Sequence, residues 1–513
     1  VIDMARKTAL LTALLALLSV VASAQEVYSD PAGRFHVPVP TGWVNESTPQ
    51  YAKFSRSDPD GLAYVLAAPG DDVQVVLAAL QTHIDATLDE SFVAAPLQAN
   101  PVPLPSGTWT QRIYLYGEEL LAAISLEQDG LTYLILLRGT QAAFMQAINA
   151  AANQLLLGFG IPTAAELEEA PPYRVQEVTF TSNGITLAGT LTLPEVDGRH
   201  PAIILISGSG AQDRDGAHPA LPAYQPLRWL ADHLTRSGLA VLRFDERGVG
   251  ESGGDHALAT SLDFADDTLA AMRYLQGRDD INPAQIGLLG HSEGAMIAAM
   301  AAAQNPEVAF VIAMAGAAVP GYEVLLVQLE RIMQAAGASE EEVMAAKAEQ
   351  QTALALAVAG DWEALESTIY DALLRQLQGL PEEQLAILGD LEAVAKAGTA
   401  QQLAALQSPW FQLFLSYDPT QDYRQITAPV LALFGELETQ VDVAQNRPPL
   451  EAALAEAGNE DVTVVVFEQA NHLFQEAVTG SPDEYLTLEM AFLPGFLETI
   501  SDWLLGRVAI ALP

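Results

Sequence analysis

No cysteine occurs in the 513 residues, which excludes a disulfide framework and a lipid-modified cysteine. Cations are scarce too. Lysine and arginine total 23 against 65 acidic residues, a formal net charge of −42, and the lysines are only Lys7, Lys53, Lys347 and Lys396. Such a chain is a poor partner for nucleic acid or an anionic membrane surface, because phosphate recognition needs the opposite sign. The charge reads as a well-solvated surface suited to salty surroundings. Attraction of cationic substrates would need a local acidic cluster, and none stands out. The apolar run Leu10 to Val21 is too short to span a bilayer comfortably. What is present is a folded composition: half the residues are hydrophobic, with glycine and proline spread out. The length sets two domains as the expectation.

That short apolar run follows Arg6 and Lys7 and precedes Ala22-Ser23-Ala24. A basic start, an apolar stretch and a small-residue cleavage pattern predict an export signal over residues 1–24, with Met4 as its start, and a secreted or periplasmic protein with no membrane contact after cleavage. An uncleaved anchor is the competing reading. The absence of cysteine is compatible with an oxidising compartment.

Beyond the signal, Arg34 to Val39 alternates like a strand and runs into Pro40-Thr41-Gly42-Trp43. Further strands are expected at Ala63 to Leu66, Trp109 to Tyr116, Leu121 to Glu127 and Leu131 to Arg138, with helices at Val73 to Leu88 and Gln141 to Leu157. This pattern predicts a small α+β domain over 27–160. Its opening strand with Pro-x-Gly-Trp resembles domains of the Mog1/PsbP-like class. Nothing in it assembles an active site, so a folding or docking module is expected. An acidic stretch with a proline pair makes 161–172 a linker.

From Tyr173 the pattern changes. Val175 to Ser182 and Ile185 to Leu193 flank Asn183-Gly184, a dipeptide that tolerates positive φ at both positions of a two-residue hairpin turn. Short apolar strands follow at Ala202 to Ile206, Ala240 to Phe244, Ile286 to Leu289, Phe310 to Ala315, Pro429 to Phe434 and Val462 to Phe467. Helices are expected between and after them at Leu227 to Ser237, Leu262 to Gln276, Glu293 to Gln304, Ala444 to Ala457 and Tyr485 to Leu505. Buried strands alternating with helices predict an α/β fold, a doubly wound and mostly parallel sheet, over 173–513. From about 320 to 407 no strand pattern appears. Gly337, Gly360, Gly379 and Gly398 divide this stretch into helices, Ser339/Glu342 and Thr399/Gln402 have capping-box spacing, and Pro381 suits a first helical turn. A helical insertion between two strands reads as a lid over an active site, or as an appendage or dimerisation arm.

The chemistry centres on Gly290-His291-Ser292-Glu293-Gly294, set between an expected strand and an expected helix. In that context G-x-S-x-G presents a nucleophilic serine on a strained turn, with a helix N-terminus favouring developing negative charge. Ser292 needs a base, and in this architecture the order is nucleophile, acid, histidine. Of eight histidines only His472 follows Ser292. The orienting acid should follow the strand Pro429 to Phe434, where Glu436, Glu438 and Asp442 compete. Position favours Glu438, with Asp442 in reserve as the start of the next segment. The oxyanion hole needs two backbone N–H donors, assigned to Glu293 and to Ser209 in the glycine-rich loop Ser207 to Gly216. Asp245 and Arg247, in the loop Phe244 to Gly253, read as scaffolding ion pairs rather than catalytic groups.

These segments resemble the bacterial α/β-hydrolase superfamily, and more narrowly its EstD-type carboxylesterase branch, related to the serine aminopeptidase S33-like group. The resemblance rests on Ser207-Gly208-Ser209-Gly210 with Gln212 to Asp215, Phe244 to Gly253 and Gly290 to Gly294. It continues through Ser408-Pro409-Trp410-Phe411, Tyr417-Asp418-Pro419, Gly435 to Val441 and Asn471 to Phe474, and covers about 173 to 505. It implies hydrolysis of carboxylic esters, usually of small acyl groups, with no metal or organic cofactor and a small-molecule ester as the partner. The family carries aspartate where this chain has Glu438. A serine peptidase or acyltransferase with the same triad is the alternative. A surface binding protein with an inactive hydrolase domain is a third.

Overall fold

The computed structural model describes residues 27–30, 34–48, 51–58, 60–69, 98–104, 107–116, 119–128, 131–140, 143, 148–157, 159–160, 171–217, 224–379, 390–485 and 487–509. The expected signal at 1–24, the helix at Val73 to Leu88, Pro381 and nearly all of the linker lie outside them.

The N-terminal part contains a two-stranded pair, β1 (Val27–Ser29) with β2 (His36–Pro38), and a seven-stranded sheet. The sheet comprises β3 (Val44–Asn45), β4 (Ala52–Ser57), β5 (Asp60–Pro69), β6 (Gln98–Leu104), β7 (Gly107–Tyr116), β8 (Glu119–Gln128) and β9 (Leu131–Thr140). Its order is β3-β4-β5-β9-β8-β7-β6 and every pairing is antiparallel. Helix α1 (Asn149–Leu157) contributes to the same core, where Phe159 stacks on Phe35 and meets Trp109 and Tyr133 edge-on. Sequence reasoning missed β4 and β6. The first is largely polar, and β6 carries Pro101 and Pro103, tolerated because it is an edge strand.

The second sheet has eight strands: β10 (Tyr173–Ser182), β11 (Ile185–Pro194), β12 (His200–Ile206), β13 (Ala240–Phe244), β14 (Ile281–His291), β15 (Val311–Met314), β16 (Val430–Gly435) and β17 (Val462–Phe467). They lie in the order β10-β11-β13-β12-β14-β15-β16-β17. The first two form the expected hairpin, closed by Asn183 at φ 48° and Gly184 at φ 82°. β13 pairs antiparallel with β11, and every pairing among β12 to β17 is parallel. Buried on both faces, β12, β13 and β16 have no exposed position, which explains their largely apolar sequences, broken only by the buried His200 and Arg243. Helices α2 (Pro226–Arg236), α3 (Ser261–Gln276) and α4 (Glu293–Gln304) connect the strands up to β15.

Between β15 and β16 stand α5 (Gly321–Ala335), α6 (Glu340–Ala359), α7 (Trp362–Gln378), α8 (Leu391–Leu406), α9 (Pro409–Ser416) and the short α10 (Thr420–Tyr423). The Ser339/Glu342 capping box is present. The one expected at Thr399/Gln402 is not: both side chains are buried in the middle of α8. Gly398 likewise does not end a helix. It lies inside α8, where an added Cβ would come within 3.2 Å of Leu373, so the glycine lets α7 and α8 approach closely. The expected helix Tyr485 to Leu505 is also corrected. Only α12 (Phe496–Leu505) forms, preceded by α11 (Val443–Glu456) and β17, because Pro494-Gly495 interrupts the pattern with Gly495 at φ 85°.

Candidate active site

Ser292 sits between β14 and α4 at φ 55°, ψ −117°, a conformation that costs a non-glycine residue strain and persists only where its surroundings enforce it. Its N–H donates to the Met314 carbonyl at 2.8 Å, tying the turn to the end of β15. The flanking glycines are steric requirements. A Cβ on Gly290 would lie 1.9 Å from the Gly294 carbonyl oxygen, and one on Gly294 would lie 2.4 Å from the Ile206 and Ser207 oxygens.

His472 follows β17 and is buried, at 4% exposure. Its loop lies against the loop after β16: Glu436 N–H donates to the Phe467 carbonyl at 2.8 Å, and Leu437 N–H to the Ala470 carbonyl at 2.9 Å. This brings His472 Nδ1 to 2.8 Å from Glu438 Oε2. A carboxylate only accepts, so Nδ1 carries the proton and Nε2 keeps its lone pair. The other Glu438 oxygen, Oε1, accepts from the backbone N–H of Gln440 at 2.7 Å and of Val441 at 3.1 Å. Three donors thus fix the position of this buried carboxylate.

The reserve acid is occupied elsewhere. Asp442 caps α11 by accepting from Gln445 N–H at 2.9 Å and pairs with Arg331 at 2.7 Å. Glu436 accepts from Gln469 N–H at 3.2 Å.

His291 links the serine and histidine loops. Its Nε2–H donates to the His472 carbonyl at 2.9 Å, and the two rings lie 4.8 Å apart. Burial, reinforced by His472, pushes the His291 imidazole down to about 3, so it stays neutral. The Ser292 hydroxyl makes no hydrogen bond to His472 in this structure. Contacts of this kind are often loose in a free enzyme and tighten with substrate.

Ser292, Ser209 and Glu293 line one cavity of about 460 Å³. Among the described residues, the N–H groups of Ser209 and Glu293 donate to no backbone group. Glu293 opens α4, where the helix end adds partial positive charge. The inserted helices form the far wall through Val324 and Gln328 of α5, Ala405 of α8 and Trp410 of α9, so the insertion covers the serine rather than standing apart.

Asp245 and Arg247 do not line the cavity. Asp245 accepts from Arg214 Nε at 3.0 Å and Nη2 at 2.6 Å, and Arg247 grips Asp267 through two contacts of 2.7 Å. Both serve as scaffolding.

Sequence reasoning weighed these two and passed over Glu246 between them. Glu246 lines the cavity, and its Oε1 accepts from the Ser207 hydroxyl at 2.5 Å. Its Oε2 accepts from Gln212 N–H at 3.2 Å and contacts His256 Nε2 at 3.0 Å. Burial opposes charging His256, yet Glu246 outweighs it and raises the imidazole above its ordinary value. The position of Glu246, just past the end of β13 at the carboxyl edge of the sheet, was the available signal. The Glu293 side chain had no such signal. Its Oε1 accepts from Ser261 Oγ at 2.6 Å and Trp410 Nε1 at 2.7 Å, partners distant in sequence. Burial pushes its carboxyl up to about 7 despite those two bonds.

The family described as serine aminopeptidase, S33, matches residues 222–376. Esterase EstD of Thermotoga maritima is 27% identical over 322 residues, 61% of this chain and 64% of that protein. An uncharacterized protein of Mycobacterium tuberculosis is 32% identical over 135 residues, 26% of this chain and 43% of its own length. The chain therefore spans less than two thirds of the curated relatives it matches. Among solved structures, an esterase of Pyrococcus furiosus is 16% identical, with 67% of this chain and 95% of that one covered at a TM-score of 0.41. Sheet order and the strained serine turn give this chain an α/β-hydrolase fold, and in sequence it is similar to serine hydrolases of that fold.

Proposed function

We propose that the protein is an exported carboxylesterase working through an acyl-enzyme on Ser292. The observation that carries the reading is the Glu438–His472 contact at 2.8 Å, made by a carboxylate whose other oxygen is already saturated by two backbone donors. His472 Nε2 takes the Ser292 proton as Oγ attacks the ester carbonyl. The resulting oxyanion rests on the N–H groups of Ser209 and Glu293. His472 then gives the proton to the departing alkoxide, and a water activated by the same imidazole releases the acid. Glu438 keeps the imidazole in the required tautomer and offsets its positive charge. The helical insertion serves as a lid. Similarity to an esterase supports the choice of an ester as substrate.

The S33 match gives the peptidase reading its one specific support. Purified protein assayed on aryl esters beside aminoacyl amides separates the two. Faster turnover of the esters is expected, and a preference for the amides would overturn the esterase assignment.

A further inference from the structure

Resting on the ester-hydrolase reading, the geometry around Ser292 also bears on which half of the ester the covered cavity holds. The departing alkoxide takes its proton from the imidazole, so the alcohol lies on the histidine side of the bond being cut. The cavity opens elsewhere. It is bounded by Ser292, Glu293 and Met296 at the turn and α4, by Ser209 and Gly210 of the oxyanion loop, by the lid, and by Gln440 and Val441 just past Glu438; none of residues 471–474 lines it. With the carbonyl oxygen on the Ser209 and Glu293 amides, the acyl group extends into this space and the alcohol points away from it.

The space is large for a small acyl group. Its 460 Å³ falls within the ~300–1,000 Å³ typical of sites for drug-sized ligands. An acetyl group would leave most of it to water, at roughly 30 Å³ per molecule. The walls are mostly apolar, with Gln328, Gln401, Ser408 and Gln440 as scattered polar groups. Phe264, Met296 and Ile297 face in from the core side, and Trp410 and Phe414 of the lid stack at 5.3 Å with ring planes 4° apart. The walls do not suit an anion. Among the described residues, the ionisable ones on the lining are Glu246, His256 and Glu293, with no lysine or arginine, and His256 is already paired with Glu246.

We propose that the substrate is an ester of a bulky, uncharged and largely apolar acid, aromatic or of medium chain length, in place of the small acyl group that family resemblance implies.

The test is kcat/KM on 4-nitrophenyl acetate, octanoate, benzoate and hemisuccinate, for the wild type and for Ala405→Trp. Ala405 is a partly buried lid residue on the cavity wall, where a larger ring would occupy the space. Octanoate is expected to exceed acetate by about tenfold or more. Benzoate is expected to exceed acetate, and the anionic hemisuccinate to fall below it. Ala405→Trp should pull the octanoate-to-acetate ratio toward one. Acetate as the preferred substrate, hemisuccinate above it, or a ratio that Ala405→Trp leaves unchanged would overturn the acyl assignment while ester hydrolysis stands. Turnover of none of the four would remove the ester reading itself, and this inference with it.

Discussion

Glu438→Gln is an isosteric change with a consequence that follows from the hydrogen-bond directions. In the wild type, Oε1 receives two backbone N–H groups and Oε2 receives His472 Nδ1–H. A glutamine has only one oxygen. The two backbone donors need that oxygen, because an amide NH₂ cannot accept. The NH₂ then points at His472 Nδ1 and is satisfied only if Nδ1 accepts, which moves the imidazole proton to Nε2. The lone pair that should take the Ser292 proton is gone. In the serine-protease triad, the comparable change of acid to amide lowers kcat by about 10⁴. That corresponds to ~5 kcal/mol of transition-state stabilisation. We expect a loss of the same order for Glu438→Gln, with KM little changed and the fold intact by circular dichroism. Asp442→Asn is the paired control. Asparagine caps a helix about as well as aspartate, so only the partly exposed pair with Arg331 is lost; stability should fall by no more than ~1 kcal/mol and kcat stay within a few-fold. Steady-state kinetics on one aryl ester decide the matter. A larger kcat loss in Asp442→Asn than in Glu438→Gln would refute the assignment of the acid.

Further outcomes follow from packing and burial. Gly294→Ala would place a Cβ 2.4 Å from two backbone oxygens at the end of β12, where no flexible side chain can yield. It should cost ~1–3 kcal/mol and lower kcat more than tenfold by moving the oxyanion amides apart. Gly277→Ala, with only ordinary contacts at 3.6 Å, should change neither property. The Glu293 carboxyl, raised by burial from 4.5 to about 7, favours the folded state less as pH climbs. The unfolded chain ionises first, so stability is full below pH 4.5 and declines until about pH 7. At about 1.4 kcal/mol per pH unit the loss reaches ~3 kcal/mol. Asp213 and Asp422, both pushed up to about 6 by burial, act in the same direction. Denaturant titrations across pH 4 to 8 should therefore show a shallower decline in Glu293→Gln, and identical slopes would contradict the burial argument. Trp410→Phe keeps a ring but removes the N–H to Glu293, and should raise KM for bulky esters more than it lowers kcat.

Much of this site was legible because its constraints are local or ordered along the chain. Ser292 was readable from two glycines that sterics require, and His472 from being the sole histidine downstream. Fully buried parallel strands announce themselves as apolar runs, and Asn183-Gly184 fixed a register to the residue. Glu438 could be favoured by position but not separated from Asp442, since only the fold shows which carboxylate meets the imidazole and which caps a helix. What escaped was set by contacts across the chain. Glu293 meets Trp410 over 117 positions, and no periodicity records that. Gly398 looks like a helix end in sequence yet serves helix packing. β4 was hidden by a largely polar sequence, and β6 by prolines that an edge strand tolerates.

The central claim is that Ser292 becomes acylated. Intact-protein mass spectrometry after exposure to a fluorophosphonate, followed by peptide mapping, addresses it directly when run beside Ser292→Ala. The account predicts a single adduct on the peptide carrying Ser292, with no adduct and no ester turnover in the variant. An adduct on another residue, or turnover that survives in Ser292→Ala, would contradict it.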